Sequence, residues 1–311
     1  MFLFSVPEKY LNRPYLKMKT LMNKQNLAWF NGLLGVIIFA GSLPATRIAV
    51  QGFSPEFLTV ARAVIAAILG LFCLLFYDQF KLKYPNITQL KALSLVALGV
   101  VIGFPLFTAL ALQTISSARA IVFVGLLPLS TAIFAILRAH EKPPVKFWLF
   151  ALLGSSFVLG YMLFNQPHLY FHSGDLYMLI AIILCGLGYA EGGQLSRELG
   201  SWQVICWALL LTLPIMMMLS IYYLPTDFSH VSVSAWIGLI YVSAFSMLIG
   251  FFFWYKGLAL GGIAQVGQIQ LLQPFIGFAF SAFLLGESIS FAMIFVSFAV
   301  IICVGFAKKY T

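Results

Sequence analysis

Two stretches of the sequence, LLPLSTAIFAILRAHE at residues 126–141 and LQPFIGFAFSAFLLGE at residues 272–287, carry the same landmarks 146 residues apart. Each stretch has a proline as its third residue and a glutamate 13 residues after that proline. Upstream of both, the same shift aligns Leu112 with Leu258. A spacing shared in this way indicates an internal repeat.

The composition around these stretches excludes a water-soluble protein. Of the 311 residues, 62% are hydrophobic and 9% are charged, whereas roughly 25% of an average soluble domain is charged. The 27 charged side chains are too few to form the surface of a water-soluble protein of this length. Soluble enzymes, disordered proteins and nucleic-acid binders are therefore excluded, and the hydrocarbon core of a bilayer is the expected environment.

The apolar runs predict an all-α membrane protein. A helix needs about 20 mostly apolar residues to cross the hydrocarbon layer, and the runs are too long and too continuous for barrel strands. Ten transmembrane helices are predicted, at residues 27–48, 55–77, 88–112, 116–138, 145–164, 174–195, 201–224, 233–255, 262–285 and 288–307.

The distribution of positive charge predicts the orientation. If the N-terminus is cytoplasmic, fifteen of the 18 Lys and Arg side chains lie in cytoplasmic segments, Arg47 and Arg119 lie outside, and Arg62 lies in the membrane. Cytoplasmic loops of membrane proteins are enriched in these residues. Both termini are therefore predicted to be cytoplasmic, and residues 1–26 form a basic cytoplasmic tail whose internal methionines offer alternative translation starts.

The repeat and the orientation together predict inverted halves. Residues 28–164 and 174–307 each contain five predicted spans, and an odd number of spans forces the second copy into the opposite orientation. Inverted repeats are typical of secondary transporters, which bind their substrate between the repeats near the bilayer midplane.

Four segments, in this order and spacing, carry a family pattern. They are FAGSLPATR at 39–47 with SP at 54–55 and Arg62; residues 118–141; GLGYAEG at 186–192; and WYKGLAL at 254–260, continuing to GE at 286–287. Over residues 28–307 the chain resembles the ten-helix, EamA-type permeases of the drug/metabolite transporter superfamily. The resemblance implies a multi-pass permease of the bacterial inner membrane, often an exporter of amino acids or similar metabolites. It also implies a cavity lined by the first, third, fourth, sixth, eighth and ninth helices.

Arg62 and Glu191 are the ionisable residues predicted to lie deepest in the membrane, where such groups are costly and commonly functional. Arg62 is interpreted as a structural charge that binds exposed carbonyls of a neighbouring helix, with attraction of a substrate carboxylate as the alternative. Tyr189 and Glu191 are predicted to bind substrate. Glu191 would bind a substrate ammonium or carry a coupled proton, since a partly buried carboxylate can alternate between ionised and protonated forms. The alternative is an interfacial Glu191 that pairs with Arg197 or Lys256.

The remaining carboxylates of interest are predicted to lie at span ends. Glu141, Asp175 and Glu287 are expected there in contact with water, and Glu141 and Glu287 are each expected at the N-terminus of the following helix.

The ninth predicted span is rich in amide side chains, which both donate and accept hydrogen bonds and so suit a neutral or zwitterionic solute. Gln268 and Gln273 are predicted to bind substrate, with interhelical bonding as the alternative. Pro274, and Pro128 in the other half, each remove a helix hydrogen bond. Paired breaks in corresponding helices indicate a binding region. Trp254 is predicted to form an aromatic wall of the cavity or an anchor at the membrane interface.

The predicted function is a secondary transporter that moves a small metabolite by alternating access, with export favoured. The sequence contains no P-loop, GxSxG or HExxH motif, so neither ATP hydrolysis nor catalysis is expected.

The four cysteines lie in apolar runs without metal-binding spacing, and no metal or cofactor is expected. The expected partners are the small-molecule substrate and the lipid bilayer, without nucleic acid. The alternatives are a lipid-linked flippase, an accessory membrane subunit or an intramembrane enzyme.

Overall fold

A computed structural model describes residues 14–76, 82–164, 172–285 and 291–309. Residues 1–13 of the predicted tail and Glu287 lie outside this part of the chain. The described helices are α1 Pro14–Ala40, α2 Ser42–Ala49, α3 Pro55–Phe76, α4 Ile87–Thr114, α5 Ser117–Val124, α6 Leu127–Ala139, α7 Val145–Phe164, α8 Ser173–Leu199, α9 Ser201–Tyr222, α10 Val233–Gly261, α11 Ile263–Gly267, α12 Gln273–Leu285 and α13 Phe291–Lys309.

The chain is an all-α membrane protein. Among the described residues, six helical stretches are long and apolar enough to cross a bilayer, and shorter apolar helices accompany them. Large apolar side chains such as Phe76, Ile215 and Phe298 are exposed on the outer helices, as expected for a surface that faces lipid. Helices suit this environment because they satisfy their own backbone hydrogen bonds. The count of ten spans, their inversion and the cytoplasmic termini remain predictions.

Four irregular segments interrupt the helices, and they form two pairs. A π-helical segment, Ala97–Gly103, lies within α4, and another, Tyr241–Ile249, lies within α10. Shifted by 146 residues, the first falls inside the second. The chain also leaves α-helical geometry between α5 and α6, two residues before Pro128, and in the 3₁₀ segment Gln268–Leu272 before Pro274. These two breaks follow the same 146-residue shift. The irregular backbone therefore repeats with the period of the sequence.

Helix α8 occupies the middle of the molecule and packs against α4, α6, α9 and α10. Glycines allow these close approaches. A Cβ built on Gly99 of α4 would lie 2.8 Å from the Cα of Gly188 in α8, so only a hydrogen fits there. On the other side, α1 packs along α10, where Gly35 faces the backbone of Trp254. The helices thus meet through small residues, which is the usual way that membrane helices approach closely.

Candidate functional site

A small cavity lies in the core where seven helices converge. Its volume is about 20 Å³, which is enough for a single water molecule and far below the roughly 300–1,000 Å³ of typical ligand pockets. The central cavity in this structure is therefore too small to hold a metabolite. Its lining residues are Phe39, Ser42, Leu43, Arg62, Val100, Phe104, Cys185, Tyr189, Ser246, Phe251 and Gln273.

Three aromatic rings form one wall of the central cavity, and a fourth ring packs behind them. Tyr189 of α8 stands 5.3 Å from Trp254 and 5.9 Å from Phe251, measured between ring centroids. Phe39 of α1 lies 5.0 Å from Phe251, and such spacings are favourable for edge and tilted ring pairs. Trp254 is fully buried behind this wall. The interpretation of Trp254 as an interface anchor is therefore wrong, because its helix continues to Gly261 and carries the ring into the interior.

Arg62 is buried beside the central cavity, with 4% of its surface exposed. Its Nη2 donates a hydrogen bond of 3.1 Å to the carbonyl oxygen of Val242, in the first turn of the α10 π-helical segment. Its Nε has no hydrogen-bond partner, and no acidic side chain in the described ranges forms an ion pair with it. Across the same cavity, the Ser246 hydroxyl donates to the Ser42 hydroxyl at 3.0 Å. The guanidinium is thus only partly satisfied.

Three of the four glutamines in the ninth predicted span, Gln268, Gln270 and Gln273, are buried, but they are not equivalent. Gln273 lines the central cavity and its Nε2 donates weakly to the Phe39 carbonyl at 3.5 Å, while its Oε1 has no partner in the described chain. Gln270 approaches the Tyr189 side chain without hydrogen-bond geometry. Gln268 is fully buried, and its amide atoms also have no partner there. Buried amides without partners are costly, so water or a ligand that bonded to these amides would stabilise the protein.

The backbone of this segment is not a regular α-helix. Gln268–Leu272 is a 3₁₀ helix, in which residues three apart eclipse each other. Gln270 and Gln273 are three residues apart: Gln270 approaches Tyr189, and Gln273 lines the central cavity together with Tyr189.

Glu191 does not belong to the central cavity. It lines a second, larger cavity of about 490 Å³ at the end of the bundle where α3 ends and α4 begins, which we call the proximal end. There its carboxylate accepts a hydrogen bond from Nε of Arg138 at the end of α6. Glu191 itself is 4% exposed, and Gln194 and Glu198 line the same cavity. Pairing of Glu191 with Arg197 or Lys256 is therefore wrong: Arg138 occupies that position.

Arg197 instead binds Glu141, which joins three helices at the proximal end. Arg197 Nη2 donates to Glu141 Oε1 at 2.7 Å, and the backbone N–H groups of Ile263 and Ala264 donate to the two Glu141 oxygens at 2.9 Å each. Glu141 thus caps α11, not the helix that follows it in sequence. Gly262 allows the turn, since its φ of +93° is strained for other residues.

The opposite, distal end is held by a buried ion pair. Arg119 binds both carboxylate oxygens of Asp175 at 2.8 Å, and Asp175 also accepts from the His172 N–H. Asp175 is 3% exposed, so its expected contact with water is wrong; the fork of Arg119 covers it. Nearby, Arg47 donates to the Leu112 carbonyl.

The predicted site residues therefore separate into two places. Tyr189 and Gln273 line the central cavity, Trp254 and Gln268 lie buried in the core, and Glu191 belongs to the proximal cavity. Sequence reasoning missed Ser42, Ser246 and Arg138, since nothing in their local sequence distinguishes them from packing or loop residues. Within the described ranges, no group of three or more His, Cys, Asp or Glu side chains could hold a metal ion.

Comparison with known proteins identifies the family. The sequence profile of the EamA-like transporter family matches residues 26–165 and, a second time, residues 172–307. The chain belongs to the EamA-like transporter family. It is a multi-pass membrane transporter and not an enzyme, and the resemblance derived from the four sequence segments is confirmed.

Two bacterial relatives of this EamA-like chain carry transporter names. The chain is 54% identical to the uncharacterized transporter YdeK of Bacillus subtilis (strain 168) over 293 residues, which span 93% of this chain and 99% of the relative. It is 24% identical to the uncharacterized transporter YyaM of the same organism over 252 residues, or 78% and 82% of the two chains. The 54% identity independently places the chain in a family of transporters.

A solved crystal structure shares the fold of this EamA-like transporter. It superposes with a TM-score of 0.71 over 91% of this chain and 96% of the other, at 17% sequence identity. At that identity the likeness concerns the fold alone.

Proposed function

We propose that the chain is a secondary transporter that carries a small metabolite through the central cavity by alternating access between residues 28–164 and 174–307. The observation that carries this proposal is the set of buried, incompletely bonded polar groups around a small cavity. Arg62 and Gln273 line that cavity, and Gln268 lies buried in the same broken helix. Unpaired buried polar groups destabilise a protein unless a ligand or water satisfies them, and a transported solute would do so.

The backbone around the cavity supports the same proposal. In membrane proteins, irregular backbone is tolerated where it is buried in protein or lines a cavity. Both π-helical segments contribute lining residues, and the 3₁₀ segment ends directly before the lining residue Gln273. Corresponding breaks in two repeats are a feature of transporter binding sites. The two matches to one family profile support the division into halves.

Alternating access also needs contacts that can part at each end. Arg197 with Glu141 and Arg138 with Glu191 hold the proximal end, and Arg119 with Asp175 holds the distal end. We propose that these pairs separate in turn as the cavity opens to one side and then to the other. Any proton coupling runs through Glu191, whose carboxylate faces the proximal cavity.

The charge bias and the Bacillus relatives support insertion in a bacterial plasma membrane with both termini cytoplasmic. The resemblance to EamA-type permeases favours export as the direction. The distal end would then face the outside of the cell, and the 490 Å³ proximal cavity would face the cytoplasm, where an exporter collects its solute.

The test is counterflow of a radiolabelled amino-acid mixture in proteoliposomes. Separate alanine substitutions at Tyr189, Glu191, Trp254, Gln268 and Gln273 should each lower the counterflow rate, by about tenfold for the cavity residues Tyr189 and Gln273. Immunoblotting should show unchanged protein abundance. Ile183→Ala is the matched control, because Ile183 lies on α8 with Tyr189 but is 55% exposed on the outer surface.

Normal counterflow in all five variants would place the substrate site elsewhere. A wild-type chain that moves no solute but scrambles labelled lipids would contradict the proposed function and favour the flippase.

A further inference from the structure

The central cavity contains a buried positive charge without a matching negative charge. Arg62 lines it, and the other described lining residues are neutral. A buried ion is strongly unfavourable unless it is paired. Elsewhere in the described chain, the buried or partly buried carboxylates Asp175, Glu141 and Glu191 each bind an arginine. Arg62 is buried without a carboxylate partner, with one hydrogen bond to a backbone carbonyl and an Nε that lacks a partner.

A second lining group indicates what should lie next to the anionic group that Arg62 would bind. Gln273 Oε1 is a buried acceptor without a donor among the described residues, so it requires an N–H or O–H group. The remaining lining is largely apolar, and Phe39, Leu43 and Phe104 contribute to it. A solute that satisfies the cavity therefore has an anionic group, an adjacent hydrogen-bond donor and an apolar body.

We infer that the solute carried through the central cavity is a small organic carboxylate whose charged group binds Arg62 and whose adjacent N–H or O–H group donates to Gln273. This inference rests on the proposed transport function. The planar fork of arginine matches a carboxylate, and such charge-assisted bonds are among the strongest in proteins. The bond from Nη2 to Val242 remains and holds the guanidinium in place. Arg62 is then both a structural charge and a substrate-binding residue.

A solute that carries only positive charge does not fit the same cavity. The carboxylate that would attract an ammonium group, Glu191, lies in the proximal cavity and is already bound by Arg138. An amine without a carboxylate would instead face Arg62 and be repelled. An amino acid fits, because its carboxylate would bind Arg62 while its ammonium donates to Gln273.

Paired probes test the inference on the unsubstituted protein. The probes are L-leucine, L-phenylalanine and 3-phenylpropionate, each compared with its carboxamide, and the readout is the thermal unfolding midpoint of the purified chain in detergent. Because a ligand stabilises the state that it binds, at least one carboxylate should raise the midpoint while its carboxamide does not. Equal shifts from carboxylates and carboxamides, or no shift from any carboxylate, would overturn the inference.

Substitution then assigns the effect to Arg62. In Arg62→Gln and Arg62→Lys, the affinity for the stabilising carboxylate should fall by about tenfold or more, whereas the response to the uncharged 3-phenylpropionamide should not change. Arg47→Gln is the matched control, because Arg47 also donates to a backbone carbonyl, that of Leu112, but is absent from the cavity lining. If Arg62 were only structural, Arg62→Lys and Arg47→Gln would lower stability without changing the preference for carboxylates.

The two proposals fail in different ways. Counterflow of carboxamides as fast as that of carboxylates would overturn the role of Arg62 and leave the transport function intact. Failure of every solute to exchange would overturn the transport function itself.

Discussion

At the scale of single residues, Glu191 is a buried carboxylate held by an arginine that is itself half exposed. The side chain of Arg138 is 47% exposed and that of Glu191 is 6% exposed. If the two side chains separate, Arg138 stays in contact with water, which solvates its charge. The pair can therefore part without leaving a cation buried, which is what a proton-operated contact requires.

We expect Glu191→Gln to abolish the acceleration of transport by a pH gradient while solute exchange continues. The amide keeps the size and hydrogen-bonding capacity of the side chain but cannot change its charge. Uptake into proteoliposomes is measured with and without an imposed gradient. Glu198→Gln is the control, because Glu198 lines the same cavity but is exposed and bound to Gln89. A gradient response that persists in Glu191→Gln would eliminate this residue as the proton carrier, and a wild-type protein without any response would indicate a facilitator.

Some site residues could be predicted from the sequence and others could not. Tyr189 and Gln273 stood out because polar groups are rare in apolar spans, and both line the central cavity. Arg138 was counted among the loop charges, since its approach to Glu191 brings together residues 53 positions apart. Asp175 was assigned to water because span ends usually contact it, and only the packed structure shows Arg119 covering the carboxylate. The partners of charged residues depend on helix packing, which a one-dimensional pattern does not contain.

At the scale of elements, the crossing of α4 and α8 depends on glycine. A Cβ on Gly99 would contact backbone atoms of Leu184 and Gly188, which cannot rotate away as a side chain can. The crossing is adjacent to the central cavity, because Val100 and Tyr189 are the neighbours of these glycines in sequence and both line it. A change in the distance between α4 and α8 would therefore also change the shape of the central cavity.

We predict that Gly99→Ala lowers the free energy of unfolding by about 1–3 kcal/mol, the usual effect of overpacking, and slows transport. Gly305→Ala is the matched control, because a Cβ at Gly305 meets no atom within 4 Å, and alanine favours helix over glycine by up to about 1 kcal/mol. Thermal unfolding in detergent measures both variants. Equal midpoints for Gly99→Ala and the unsubstituted protein would show that α4 and α8 can separate freely.

Element boundaries follow closely from the sequence, whereas the irregular segments do not. Predicted ranges such as 55–77 and 201–224 differ from α3 and α9 by one or two residues at most. The prolines indicated where regular helix would fail, and the backbone departs from α-helix next to both. The π-helical segments had no sequence signal, because their residues are mostly apolar, like those of the α-helical turns around them.

At the scale of the whole molecule, the arrangement across the membrane follows from the asymmetry of charge. Lys83, Arg138 and Arg197 lie at the proximal end, and Arg47 and Arg119 lie at the distal end. We expect the proximal end to face the cytoplasm, because it carries more Lys and Arg side chains than the distal end.

Reporter fusions test this orientation. We expect a fluorescent protein fused after residue 311 to be active and alkaline phosphatase at that position to be inactive, because the C-terminus should lie in the cytoplasm. Phosphatase inserted at His172, near the distal ion pair, should be active. Phosphatase activity at residue 311 would contradict both the even number of spans and the inverted halves.

The partners of Glu141, which caps α11, are synthesised one after the other. Arg197 follows Glu141 by 56 residues and Ile263 follows it by 122. At roughly 5–20 residues per second, the ribosome delivers Arg197 about 3–11 s after Glu141 and delivers Ile263 about 6–24 s after it. Arg197 is therefore the first of the two partners available to Glu141, and the cap on α11 can form only after the second half has been synthesised as far as Ala264.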